Sequence, residues 1–585
     1  METTLCERPH IERNRLPGRW VYPVDILKSR DRPGFGVPEA MVLLTFCLLL
    51  AWCIPRHESW FDEAQAWLIA RDSALGDLVL RRLHYEGSPA LWHILLWSEI
   101  RMHVSFLGMR YIAGCFAALG VFVWLRFNPL PRLISLLLPF TFFIQYQYAV
   151  VARSYDLAPL FAFLLMALYQ NRKSSPMAFC VVAGLFANCS LHMAAFATGL
   201  VLLYARDRLR LLPHTGANTI VRQFAAPAFV LLLLLAASAA TAVPTADGSS
   251  TTANPVVGAI RQIVPDAHRP VRRDTKTDEL MNISPIETRI PDQGPIATKV
   301  WWVIRSSQGA SSHRAVLAGK VLKHILVLLT AITVPISTSN LLAACFLCLL
   351  FINVARTQMW LSLAPYVLIQ VCNVAVAGEA HHLGLLWVAL ICSLWALSLQ
   401  PISPGIATSL RGALYAVTLV VVVLQVGWSV HALRADIQSP YSSSQATATF
   451  ISWLPKEKTV AAFDDDSVTV NVYLPTSPYF NQRMDYWPFS KTNDPSLFIK
   501  QTIAQEPDVV ILKMSSPDSP VMNQWVTLIA PGTTFVDQTA LHLLLQNGYR
   551  ETHRFCGNRF FRDASESTDC RLVFEHGSAA PPRPI

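Results

Sequence analysis

The chain has 585 residues, of which 52% are hydrophobic and only 15% charged, with a mean hydropathy of +0.36. That balance excludes an ordinary soluble enzyme, and the modest Gly and Pro content without a charged heptad run excludes collagen, coiled coil and disordered scaffold. The 48 basic residues against 39 acidic ones leave +9; in so apolar a chain this reads as loop topology, and no nucleic-acid partner is expected.

Crossing a ~30 Å hydrocarbon core takes roughly 20 mostly apolar residues as a helix, and about ten or eleven stretches qualify. Residues 1–36 form an arm rich in Arg and Lys, which places it in the cytoplasm ahead of the first apolar run, Val37 to Ile54. No small-residue cleavage pattern follows Cys53-Ile54-Pro55, so this run is read as an uncleaved first helix. Further spans are expected at 109–126, 132–150, 155–170, 177–191, 193–205 and 224–243. The loop at 56–88 holds four Arg against six Asp or Glu and is assigned to the outside, within a first external loop at 55–100.

Residues 244–315 are polar and too long for a tight turn, and read as an external loop. Parity then turns on 316–335, which carries Lys320, Lys323 and His324. If it spans, the C-terminal part ends in the cytoplasm. If it lies at the interface, the external segment runs over 244–335 and the C-terminal part ends outside, and we prefer this second reading. Later spans are expected at 338–355, 358–377, 383–399 and 406–428, which closes a membrane module over 37–430.

Residues 437–575 change character. The apolar runs at 458–463 and 507–513 predict buried strands, with helices near 443–453 and 494–504, hence a small soluble α/β domain before a loose tail at 576–585. The expected fold class is therefore an α-helical polytopic membrane protein with a C-terminal soluble α/β domain. Cys556 and Cys570 stand in the polar part of that domain, either as an extracytoplasmic disulfide or as two free thiols.

Chemistry-bearing residues concentrate in three places. The first loop reads His57-Glu58-Ser59-Trp60-Phe61-Asp62-Glu63, and further on His84-Tyr85-Glu86-Gly87-Ser88-Pro89. Acids there can accept a proton from a hydroxyl or hold a hard cation, and the aromatic rings can bed at headgroups or stack on a sugar; an Asp-Glu pair can equally open a solvated helix. Next, Arg153-Ser154-Tyr155-Asp156 places a cation and an acid three residues apart at a helix mouth. Capping by Asp156 and snorkelling by Arg153 are the plainer roles. Third, His192, Glu379, His381 and His382 interrupt apolar stretches, where ionisable groups are functional candidates. Adjacent His381 and His382 face different sides of a helix and make a poor zinc pair. No Walker A loop, HExxH, GxSxG or paired CxxC occurs.

Asp62-Glu63 after the first helix, Glu86-Gly87-Ser88-Pro89-Ala90-Leu91, Arg153-Ser154-Tyr155-Asp156 and the late Gly378-Glu379-Ala380-His381-His382-Leu383-Gly384 together resemble a GT-C membrane glycosyltransferase. The similarity is to bacterial transferases of the rhizobial lipopolysaccharide-core type, and more distantly to protein O-mannosyltransferases and the lipid A aminoarabinose transferase. It covers about residues 38–428. The chain departs from those relatives at Gly87-Ser88, where they often have His-Pro-Pro or an acidic-Lys-Pro-Pro stretch, and at Ala380, where they have Arg.

The resemblance implies a GT-C-like module of about eleven spans in a cell membrane, bacterial in setting. It also implies a polyprenyl-phosphate sugar donor arriving from the bilayer, and an extracytoplasmic glycan, lipid or protein acceptor. Asp62 is then the expected general base, with Glu63 orienting it or sharing its proton. Glu86, Arg153, Asp156 and His382 are expected at the donor phosphate. Either Asp62, Glu86 and Asp156 hold a divalent cation such as Mg or Mn, or Arg153 and His382 supply the positive charge. Two rivals remain at this level: a transporter or flippase of lipid-linked saccharides, and a membrane scaffold displaying the α/β domain.

Overall fold

The computed structural model describes residues 35–86, 88–171, 176–210, 217–242, 332–375, 382–401, 406–463, 467–481, 495–515, 533–561 and 565–577. The basic arm at 1–34, most of the segment at 244–335 with Lys320, Lys323 and His324, then Gly87, Glu379, His381 and the end of the tail lie outside the described residues, as does the side chain of Glu86.

The chain is mostly helical. Four described helices are long and apolar enough to cross a membrane, with their apolar lengths at Phe106–Phe127, Phe224–Ala242, Asn340–Thr357 and Ile406–Gln438; shorter apolar helices occupy Val37–Cys53, Pro176–Ala187 and Leu383–Ser398. Leu157–Gln170, Leu191–Arg210 and Ala364–Ala375 complete the helical body. Leu44, Leu48 and Trp52 on the first helix and Val420 and Val423 on the last remain exposed, as side chains bound for lipid should.

In lipid the hydrophobic effect does not press helices together, so close packing by small residues must do it. Gly120 of Phe106–Phe127 is so near Leu157–Gln170 that a Cβ there would lie 2.8 Å from the Leu160 nitrogen. Gly199 of Leu191–Arg210 is nearer still: its Cβ would meet the Pro365 nitrogen at 2.3 Å.

One expected span differs. In place of a continuous helix over 132–150, the chain forms an α-turn at Arg132–Leu137, a 3-10 turn at Leu138–Phe140 and a π-helical stretch at Phe142–Gln147. Pro139 has no N–H to give and crowds the preceding turn, which ends the α-helix there. The Thr141 hydroxyl donates to the Leu138 carbonyl at 2.8 Å and satisfies part of the break. Broken backbone is tolerated at membrane depth only where protein covers it. Every residue from 141 to 153 is buried.

The C-terminal part is a four-stranded sheet in the order β1-β2-β4-β3, with β1 Val460–Ala462, β2 Val509–Ser515, β3 Tyr549–Phe561 and β4 Ser565–His576. β1 runs parallel to β2, and β4 antiparallel to both β2 and β3. The helices Ser444–Trp453 and Pro495–Ile503 and the first two strands fall where the sequence predicts them. Cys556 and Cys570 face one another across β3 and β4 and form a disulfide. The domain is not free-standing: helix Ile406–Gln438 continues past the expected end at 428 and delivers the chain to it. The first loop packs directly against it.

Because only backbone lies across from Gly199, no side chain can rotate away to admit a methyl group. Gly199→Ala should cost about 1–3 kcal/mol. Gly412→Ala, where no described atom lies within 4 Å, should not lower stability; thermal unfolding in detergent compares the two.

Candidate functional site

The site begins with a helix start. Trp60 has extended backbone and Phe61–Arg71 follows as a helix, whose third residue turns back so that Glu63 Oε2 accepts the Trp60 N–H at 2.8 Å. This is the carboxylate half of a capping box. Consecutive helical residues lie about 100° apart, so Asp62 and Glu63 cannot share surroundings. The Asp62 side chain is 32% exposed. That of Glu63 is wholly buried.

The broken segment supplies the other half. Glu63 Oε1 accepts the Ala152 N–H at 2.7 Å, and the next residue, Arg153, forms an ion pair with Asp62. The Arg153 guanidinium lies 5.7 Å from the Trp60 ring centroid and 5.2 Å from that of Tyr155, close enough for both rings to favour the cation. The Tyr155 hydroxyl shares a hydrogen bond of 2.9 Å with His382 Nε2, and the His382 ring stacks on His192 at 3.7 Å. Asp156, three residues after Arg153, is fully buried, and neither of its carboxylate oxygens meets a hydrogen-bond donor among the described residues.

Of the residues expected from the sequence, Asp62, Arg153, Asp156 and His382 thus belong to one connected neighbourhood, with Glu63 behind it. Glu86 closes the short helix Leu83–Glu86, and the position of its carboxylate is outside the description. The Asp62 carboxylate faces a guanidinium, and among the described residues no three His, Cys, Asp or Glu groups gather as metal ligands.

Behind Asp62 lies a charge network the sequence reading did not assemble. His57 Nδ1 is 2.7 Å from Asp436 Oδ2, and His57 Nε2 is 3.6 Å from Glu63 Oε2. Arg110 Nε lies 3.6 Å from Glu63 Oε1. Burial by itself would raise the Glu63 carboxyl, but His57, Arg110 and the Trp60 amide outweigh it and hold it below the usual range. Arg110 carried a signal, being an ionisable residue in an apolar helix. Asp436 carried none, since it lies beyond the expected helix end and comes near His57 only through the fold.

The same loop is bolted to the C-terminal domain. Glu58 Oε2 accepts from the Ser442 hydroxyl at 2.9 Å and the Ser444 N–H at 3.0 Å. The Ser59 hydroxyl donates to the Thr469 carbonyl at 2.9 Å, and Arg71 donates to the Leu474 carbonyl at 3.1 Å. Buried Arg571 on β4 donates to the Ser443 hydroxyl and to Thr469 Oγ1, both at 2.7 Å. Burial pushes the Glu58 carboxyl up against the pull of these donors and of Arg571.

No protein-family model matches the chain, and no curated protein is significantly similar to it.

A pH dependence follows from His57. Burial, the largest influence, would lower its imidazole, but the charge and hydrogen bond of Asp436 together with Glu63 lift it from 6.5 to about 9. A folded value above the unfolded one means stability is complete below about pH 6.5 and is lost as pH rises toward 9, by up to about 3 kcal/mol. The unfolding temperature should therefore fall across that window in wild type and fall less in His57→Gln.

Proposed function

We propose that the protein is an integral membrane glycosyltransferase of the GT-C type, with about eleven spans, a cytoplasmic N-terminal arm, and the first loop and C-terminal domain on the outer face of a bacterial cell membrane. Its donor is a polyprenyl-phosphate sugar and its acceptor an extracytoplasmic glycan, lipid or protein. The observation that carries this reading is the Asp62–Arg153 pair: a partly exposed carboxylate beside a mostly buried guanidinium, with Tyr155 and His382 next in line.

Such a pair suits displacement at an anomeric carbon. The donor phosphate binds the Arg153 guanidinium through charge-assisted hydrogen bonds, with His382 as a further donor. In doing so it competes with Asp62 for the cation and leaves that carboxylate available to the acceptor hydroxyl. Asp62 takes the hydroxyl proton as the acceptor oxygen bonds to the anomeric carbon; the bond from that carbon to the phosphate oxygen breaks, and its electron pair leaves on the polyprenyl phosphate. One displacement inverts the anomeric centre.

Asp62→Asn removes the base but keeps the shape of a part-exposed side chain. It should lower sugar transfer from a polyprenyl-phosphate donor at least about a hundredfold while the unfolding temperature stays within error. Transfer near the wild-type rate in folded Asp62→Asn would eliminate the mechanism. Product analysis separates the reading from a flippase, which would relocate the donor intact and release no carrier phosphate.

A further inference from the structure

Asp62 and Glu63 engage two consecutive residues of the buried segment in two different ways. Asp62 meets the side chain of Arg153, whereas Glu63 takes the backbone N–H of Ala152 just before it, at 2.7 Å. Glu63 cannot act on Asp62 directly: its side chain is wholly buried, and its oxygens are occupied by the Ala152 and Trp60 amides with His57 and Arg110 close behind. What Glu63 does hold is the Val151–Ala152 peptide unit, one residue before the Cα from which the Arg153 side chain departs. That unit lies in non-helical backbone, where no repeating ladder fixes its orientation, so a single strong acceptor sets it.

We infer that Glu63 is a positioning residue, which fixes the backbone leading into Arg153 at Ala152 so that the Arg153 guanidinium is presented to Asp62 and to an incoming phosphate. His57, braced by Asp436 at 2.7 Å, keeps the Glu63 carboxylate in place from the root of the C-terminal domain. The anchor acts on backbone orientation whatever the chemistry at the rim; only its effect on turnover rests on the transferase reading.

Hydrogen–deuterium exchange in detergent, resolved to the Ala152 amide, tests the anchor without any substrate. In Glu63→Gln one oxygen remains for two amides, and the Ala152 amide should exchange at least about tenfold faster, while amides of the β-sheet keep their wild-type rates. Unchanged exchange at Ala152, or equal acceleration everywhere, overturns the inference. Should Glu63→Gln not fold, Asp436→Asn leaves Glu63 itself intact and should raise Ala152 exchange by a smaller factor; no rise there overturns it equally.

Turnover then separates positioning from general support. If Glu63 acts through Arg153, Glu63→Gln lowers kcat in the wild-type background and adds no further loss in an Arg153→Ala background, whereas a loss that persists there overturns the assigned role. A folded wild-type chain that moves no sugar, with the exchange result intact, would refute the transferase reading and leave the anchor standing.

Discussion

The hydrogen bond from the Ala152 amide to Glu63 joins the two parts of the chain that everything at the site depends on. One is a helix of the first loop; the other is non-helical backbone that follows the π-helical stretch at Phe142–Gln147. Inside a lipid-embedded body such backbone needs an acceptor for each N–H it exposes, because water is absent. A buried carboxylate answers that need, and in turn needs cations to offset its own loss of hydration. His57 and Arg110, each 3.6 Å from Glu63, provide them. Backbone irregularity, buried acid and buried base thus satisfy one another in turn.

That arrangement carries a division of labour in the Asp-Glu dipeptide. Helical geometry separates the two side chains, sending one to the rim and the other inward. A buried acid with its lone pairs taken makes a poor proton acceptor but a firm structural tie. An acid one-third exposed, with a guanidinium as partner, is released when another anion takes that guanidinium. In the proposed reaction, chemistry falls to the first residue and geometry to the second.

Much of the architecture was legible because its signals were local. Runs bounded by Pro or charge marked the helices, and the apolar strings around Val460 and Val509 marked the first two strands. β3 and β4 escaped because charge hid their alternation. Arg550, Glu551 and Arg554 stud an edge strand, and Arg571 sits inside β4 as a buried residue that would ordinarily argue for a loop; bonds to Ser443 and Thr469 are among those that make it tolerable there. The break at 138–147 was hidden for the opposite reason, since a buried irregular segment and a lipid-facing helix have the same apolar composition. At the site, Asp62, Arg153, Asp156 and His382 could be picked by residue type, but which acid faced outward depended on helix phase. The pairing of His57 with Asp436, 379 positions apart, depended on the tertiary fold.

The attachment of the C-terminal domain follows from the same logic carried outward. Glu58, Ser59 and Arg71 of the first loop bond to the segments at 442–445 and 469–474, while His57 bonds to the end of the helix that leads into the domain. Each contact alone is an ordinary hydrogen bond with a modest net contribution, but they are buried, and breaking one strands a partner without water to replace it. A domain held this way cannot swing independently of the loop that carries Asp62. Movement of the sheet relative to the helical body is therefore felt by the residues flanking that carboxylate. Its disulfide reinforces this arrangement: Cys556 and Cys570 join β3 to β4 beside Gly557, whose close approach to the Ser442 backbone leaves no room for a side chain, and Ser442 in turn donates to Glu58. Rigidity of the sheet is thereby transmitted to the loop through three contiguous contacts, ending four residues before the proposed base.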